Sequence, residues 1–375
     1  MKNIKRTRFL GLTLLAAGMA VPAVAQLSKP RIIEFDAPGA GTGAGQGTYA
    51  VGANFGSLVT GYYLDAAGVN HGFIRESDGK VIVVDAPGAG ASASQGTIAW
   101  AVLPDLTVTG YYIDANGVWH GFLRSPDGQF KTIDIPQAGA GAGQGTFAGN
   151  INPKKEISGY YIDPDSVSHG FLRDADGKLT IFDVAGAGTG AGQGTQAAWV
   201  TGMNPAGKIA GWYLDSIGAV HGFTRAPDGA ITTFDAPGAV TDLPGVGTYE
   251  TAVNPQGAVS GSYSDANGSY HGFLLTASGT VKLFDAPGAG PGYLQGTFSQ
   301  GINPSDQVPG YVADANNVYH GFLYTPGHPV LVFDVPGAGA GAFQGTEPLT
   351  VSPSGVVTGY YIDANGVAHG FLRLP

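Results

Sequence analysis

The sequence predicts an all-β fold: a seven-bladed β-propeller of four-stranded antiparallel blades, closed by an N-terminal strand that completes the last blade. Three observations predict it. The string His-Gly-Phe recurs seven times, at His71, His120, His169, His221, His271, His320 and His369, with gaps of 49, 49, 52, 50, 49 and 49 residues. A fixed period of this size marks one supersecondary unit copied along the chain. Each period holds four short runs rich in β-branched and aromatic residues and bounded by Asn, Asp, Pro or Gly, the pattern of strands. Finally, an aspartate follows six of the histidines by 14 residues (Asp85, Asp134, Asp183, Asp235, Asp285 and Asp334), but only six residues follow His369. The missing fourth strand stands at the other end, as Ile32-Ile33-Glu34-Phe35-Asp36. Borrowing it closes the ring and leaves no unpaired edge, whereas an open solenoid would need capping repeats.

Residues 1–25 read separately. Lys2, Lys5, Arg6 and Arg8 precede a mostly apolar run from Phe9 to Val21, and Ala23-Val24-Ala25 offers small residues for cleavage. This is the pattern of a bacterial secretory signal peptide, so a mature chain is expected to begin near Gln26. Residues 26–375 are expected to form one propeller domain, with no run long enough to be a confident membrane span. Removing four of 18 basic residues leaves 14 against 28 acidic ones, a net charge of −14. Such a chain repels phosphate backbones, which argues against nucleic acid as a partner. There is no cysteine, so disulfides, thiolate metal sites and cysteine nucleophiles are excluded.

The elements follow in order within copy three: strands at Thr146–Ile151, Ile157–Asp163, Val167–Arg173 and Leu179–Val184. The turns share one chemistry, as in Asn204-Pro205-Ala206-Gly207, Asp114-Ala115-Asn116-Gly117 and Ser125-Pro126-Asp127-Gly128. Asp, Asn or Ser first, Pro allowed second and Gly fourth describe a type I turn followed by a left-handed residue. The remaining glycine-rich residues of each period, such as Pro87 to Thr97, carry the chain to the next blade as compact surface loops.

Ile302-Asn303-Pro304, Gly310-Tyr311 and His320-Gly321-Phe322-Leu323 resemble the secreted bacterial HAF repeat family, with an Ile-Asn turn, a Val-x-Gly strand and His-Ala-Phe-Leu. The resemblance spans residues 31–375. Here Gly replaces Ala, and the Trp frequent after the motif is missing. The resemblance implies an extracellular protein with propeller-like repeats and no known reaction.

The most regular polar pattern is Asp and His six residues apart: Asp65/His71, Asp114/His120, Asp163/His169, Asp215/His221, Asp265/His271, Asp314/His320 and Asp363/His369. Seven identical copies point to structure, with Asp capping its turn and His joining a buried His–Asp–Thr network that locks each blade. Ion binding and acid–base chemistry are the alternatives. No cofactor is expected, although a structural cation could be accommodated. Gly in His-Gly-Phe is expected to admit a close Tyr or Phe neighbour. The Tyr-Tyr pairs, such as Tyr62-Tyr63, point to opposite faces and so cannot form one platform. No Gly-Lys-Ser/Thr phosphate loop and no Gly-x-Ser-x-Gly elbow occurs.

Function is sought where the period breaks. Three extra residues fall in or near Thr195–Val200, Asp242 lies in a loop that has lost its usual Gln, Tyr293 and Phe343 replace small loop residues, and Glu250 and Glu347 lie in first strands. His328 is the only histidine outside the repeat. The expected role is that of a monomer that binds an extracellular glycan or protein without catalysis, on the inter-blade loop face, through Asp242, Tyr293 and Phe343. Two rivals stand beside it: a lyase, hydrolase or lactonase with a central-channel site, and a structural or adhesive surface protein. The near-identity of the blades weighs against an enzyme, which needs an asymmetric site.

Overall fold

A computed structural model describes residues 31–53, 58–197 and 201–375. The leader reading of residues 1–25 and the insertion at Ala198-Trp199-Val200 lie outside these residues. The described residues contain 28 strands. Among the described residues there is no helix long and apolar enough to cross a membrane.

The strands pair as short antiparallel meanders. In copy one these are Gly47–Ala53, Val59–Leu64, Asn70–Arg75 and Val81–Val84. In copy three they are Gly145–Ile151, Ile157–Ile162, Ser168–Arg173 and Leu179–Phe182, within one to two residues of the expected bounds. Successive meanders meet at single parallel bridges from third strand to next first strand, as at Asn70↔Gly96 and Tyr270↔Gly296. The last bridge, Ala368↔Gly47, returns to the start. The N-terminal strand Ile32–Phe35 lies antiparallel to Ala368–Arg373, pairing Ile32 with Arg373 and Phe35 with Gly370.

The turns form as their residues dictate. Asp65 Oδ1 accepts from the Ala67 and Val69 N–H groups, and Gly68 takes φ +77°. That left-handed step costs glycine little.

The core lies at the seams between copies. The phenylalanine of every His-Gly-Phe is fully buried: Phe73, Phe122, Phe171, Phe223, Phe273, Phe322 and Phe371. Phe122 packs with Ile74, Val84 and Ala86 of the preceding copy. Phe73 packs with Ala37 and Leu372, and its ring meets Phe35 edge-on at 6.2 Å, so the N-terminal strand fills the corresponding seam. At Gly170, Gly272 and Gly370 an added Cβ would strike the ring of Phe182, Phe284 or Phe35. The expected aromatic neighbour is not universal. At Gly72 and Gly121 the close atoms are the Val84 or Ile133 carbonyl and an alanine of the next copy. There the paired fourth-strand residue is aliphatic.

Candidate functional site

The glycine-rich loops and the turns between second and third strands share one end of the molecule, because each loop is hydrogen-bonded to a turn. Gly45 N–H donates to Gly366 O, Leu294 N–H to Gly268 O and Phe343 N–H to Asn317 O, at 2.7–3.0 Å. A loop glutamine provides a second clamp. Gln46 Oε1 accepts from Gly43 N–H, and its Nε2 donates to Ala66 O. Gln95, Gln144, Gln193, Gln295 and Gln344 make the corresponding bonds. Val246 occupies this position in the Asp242 loop. The glutamine clamp was detectable as a sixfold recurrence before Gly-Thr, but composition alone concealed its role.

The Asp/His pairs lie on the same end, and their geometry corrects the expected network. His71 Nδ1 donates to Asp85 Oδ2 at 3.0 Å, whereas its Nε2 lies 3.6 Å from Asp65 Oδ2. Across the copies the shorter contact, 2.9–3.1 Å, is always to the aspartate 14 residues on, or to Asp36 for His369. Each histidine also stacks on the second tyrosine-position ring or its equivalent where an aromatic is present; Tyr63 lies 4.9 Å from His71. These groups are part-exposed, and the threonine takes no part. Buried Thr48 instead accepts from Ala37 N–H, and Thr97 from Ala86 N–H. The fourth strand ends at its aspartate, which reaches back over the third strand, while the threonine faces the seam. The Asp65 carboxyl is held below the usual range, first by the Val69 N–H, against the opposing effect of burial. With both imidazole nitrogens facing carboxylates, the triad serves as a tie. Among the described residues, no group of three or more His, Cys, Asp or Glu side chains is placed to hold a metal ion.

Tyr293 and Phe343 are 70% and 62% exposed, and Asp242 is also exposed. The three have different neighbours. The Tyr293 ring lies against Gly268, and Phe343 meets Tyr319 edge-on at 6.3 Å, while Asp242 stands in the preceding loop. His328 sits in the turn after Thr325, on the strand-three-to-four connection.

Glu347 behaves differently from an exposed site acid. It occupies the first-strand position held elsewhere by Tyr49, Ile98, Phe147, Gln196, Tyr249 and Phe298, within an aromatic belt. It is buried, and its Oε2 accepts from Tyr360 O–H at 2.8 Å. Burial raises its pKa to about 7.

At the opposite end, the turns between first and second strands surround a space of about 190 Å³ lined by prolines and aliphatic side chains, among them Pro153, Pro205, Pro255, Ile151, Met203 and Val253. Asparagines connect these turns around the ring: Asn204 Nδ2 donates to Asn254 O, Asn254 Nδ2 to Asn303 O and Asn303 Nδ2 to Ser352 O. Sequence reading treated these asparagines only as turn residues.

No family model matches the chain, and no curated protein matches it. Among solved structures it is similar to the BP39L lectin from Burkholderia pseudomallei, with a TM-score of 0.53 at 11% identity, covering 87% of this chain and 98% of that one. It is similar to a prolyl endopeptidase structure at the same TM-score and identity, covering 87% of this chain and 50% of that one. A six-bladed β-propeller lectin, Aleuria aurantia lectin, gives a TM-score of 0.43 at 12% identity over 80% of this chain and 96% of that one. At these identities the first two likenesses establish an all-β, propeller-type fold.

Proposed function

We propose that the chain is a secreted, monomeric, seven-bladed β-propeller of the HAF repeat type. It binds an extracellular glycan or protein, without catalysis and without a cofactor, through the end carrying the glycine-rich loops. One observation carries the site: Leu243, Tyr293, Leu294 and Phe343, all large, apolar and exposed, occupy three successive loops. The corresponding stretches of the other loops hold Gly, Ala, Ser and Thr. An apolar arc on one side of an otherwise repetitive surface has the asymmetry that recognition requires.

Backbone conformation supports this reading. Phe343 and Leu294 adopt φ +62° and +58°, where Gly45, Gly143, Gly192 and Gly245 stand in other loops. A left-handed non-glycine residue costs roughly 1–2 kcal/mol. Large side chains are therefore displayed at a position where glycine is the relaxed choice. Likeness to a lectin is here a likeness of fold, and the binding claim rests on the arc.

The test is an array of glycans and secreted proteins. Hits are expected to weaken about tenfold on Phe343→Ala or Tyr293→Ala, the usual scale for an exposed aromatic anchor. Hits indifferent to both substitutions would remove the site assignment.

A further inference from the structure

We infer that the groove between the Asp265–His271 turn and the Asp285–Pro291 loop, together with the exposed Tyr293 ring packed on Gly268 of that turn, is a subsite for a neutral saccharide ring. The inference rests on the loop-face reading above and names the ligand class for one part of that face.

The groove measures about 350 Å³, at the small end for a ligand site. Its lining includes Asp265, Asn267, Ser269, His271, Asp285 and Pro291. Other copies share its Asp–His–Asp frame, and Asn267 recurs as Asn116, Asn316 and Asn365, but Ser269, Pro291 and the neighbouring Tyr293 are local. Where the corresponding turn position is Val69, Val118, Val167, Ala219, Val318 or Val367, copy five has Ser269. The Ser269 hydroxyl donates to Gly290 O at 3.2 Å and so joins the two walls. Pro291 stiffens the loop. Tyr293 then stands where alanine faces the turn glycine in three other copies. Gly68, Gly117 and Gly366 face Ala93, Ala142 and Ala44, whereas Gly268 faces the Tyr293 ring. Two departures from the repeat, Ser269 and Pro291, thus line one groove, and a third, Tyr293, packs on the turn that forms one of its walls.

Their chemistry suits a sugar. The exposed Tyr293 ring offers a flat face with negative π density to the C–H face of a pyranose. Asp285 Oδ1 accepts a hydrogen bond from His271 Nδ1 at 2.9 Å, and among the described residues nothing donates to its Oδ2. Asn267 lines the same groove, and its Nδ2 lies 3.4 Å from Asp265 Oδ2, which leaves its amide oxygen to accept. A carboxylate and a carboxamide lining one groove can accept from and donate to sugar hydroxyls. Burial pushes the Asp265 pKa up, but the Ser269 and Asn267 N–H groups and His271 outweigh it and hold the group below the usual carboxylate range. The negative wall this creates disfavours uronic, sialylated and sulfated sugars.

The probe is an immobilised panel of neutral, sialylated, uronic and sulfated oligosaccharides, with saturation-transfer NMR on the best hit. Neutral glycans are expected to bind. Tyr293→Ala and Asn267→Ala should each weaken binding about tenfold, Tyr293→Phe should retain it, and the copy-two counterpart Asn116→Ala should change it less than about twofold. Melting temperatures establish that each variant is folded. Preference for acidic glycans, or neutral hits indifferent to Tyr293→Ala, overturns the subsite. If such hits still require Phe343, the loop-face reading survives the loss of the groove. A Phe343-dependent secreted protein with no glycan hit has the same meaning. Binding to nothing on either panel overturns both.

Discussion

At the scale of single residues, Glu347 shows what a departure from the repeat costs. Its carboxyl lies among the belt of Tyr49, Tyr311, Tyr319 and Tyr360, and among the described residues it accepts one side-chain hydrogen bond, from Tyr360. Burial raises its pKa from 4.5 to about 7. The folded state therefore holds the proton more tightly than the unfolded chain does. The resulting stability is fully present below pH about 4.5 and is lost as pH rises through about 7, a swing on the order of 3 kcal/mol. Glu347→Gln keeps the acceptor and cannot ionise. Denaturation of the variant and the parent should agree near pH 4 and favour the variant by that amount at pH 8. An equal difference at both pH values would show that the carboxyl ionises freely in the fold. The sequence marked Glu347 as an acid in a first strand, but its burial depends on rings from two neighbouring copies, which no local pattern encodes.

At the scale of elements, the strands and turns were legible because both are short-range. Asp65 caps a turn with the residues that immediately follow it, and the β-branched and aromatic residues of Ile157–Ile162 favour a strand locally. Tertiary partners were not legible. Asp85 was visible as a marker of the fourth strand's end, but its bond to His71 depends on how that strand lies over the third. The asparagine ring was hidden for the same reason, since its acceptors lie about 50 residues away. Asn254 shows the consequence. Its Oδ1 accepts from Ala258 N–H, and its Nδ2 donates to Asn303 O and Asp306 Oδ1, all at a nearly inaccessible position. Asn254→Ala leaves a buried N–H and a buried carbonyl without these partners and should cost about 1–3 kcal/mol in urea unfolding. A loss below about 0.5 kcal/mol would mean that the turns are fastened by packing alone. The same substitution should leave glycan binding at the far end unchanged.

At the scale of the whole molecule, the chain ends carry the strongest prediction. Closure was legible because it is a matter of counting: a fourth strand missing at one end and present at the other. The structure adds what fastens it. Four residues of Ile32–Phe35 pair with the strand of His369, Tyr361 O–H donates to Glu34 at 2.7 Å, and His369 Nδ1 donates to Asp36 at 2.9 Å. The Phe35 ring covers Gly370 and meets Phe73, so this strand bridges the last copy and the first. Deleting residues 31–37 removes the ladder, both side-chain ties and the Ala37 N–H that Thr48 accepts. It also exposes the Phe73 seam. Removing an edge strand in a linear array should weaken only its neighbour, whereas in a ring it uncouples the two ends and exposes strand edges on both sides of the gap. The deletion should therefore lower the melting temperature well beyond the effect of Asp36→Asn, which removes one tie. Hydrogen exchange should show lost protection at both Val59–Leu64 and Ala368–Arg373. An unchanged melting temperature, or loss of protection confined to the C-terminal copy, would mean that the N-terminal strand decorates the ring without closing it.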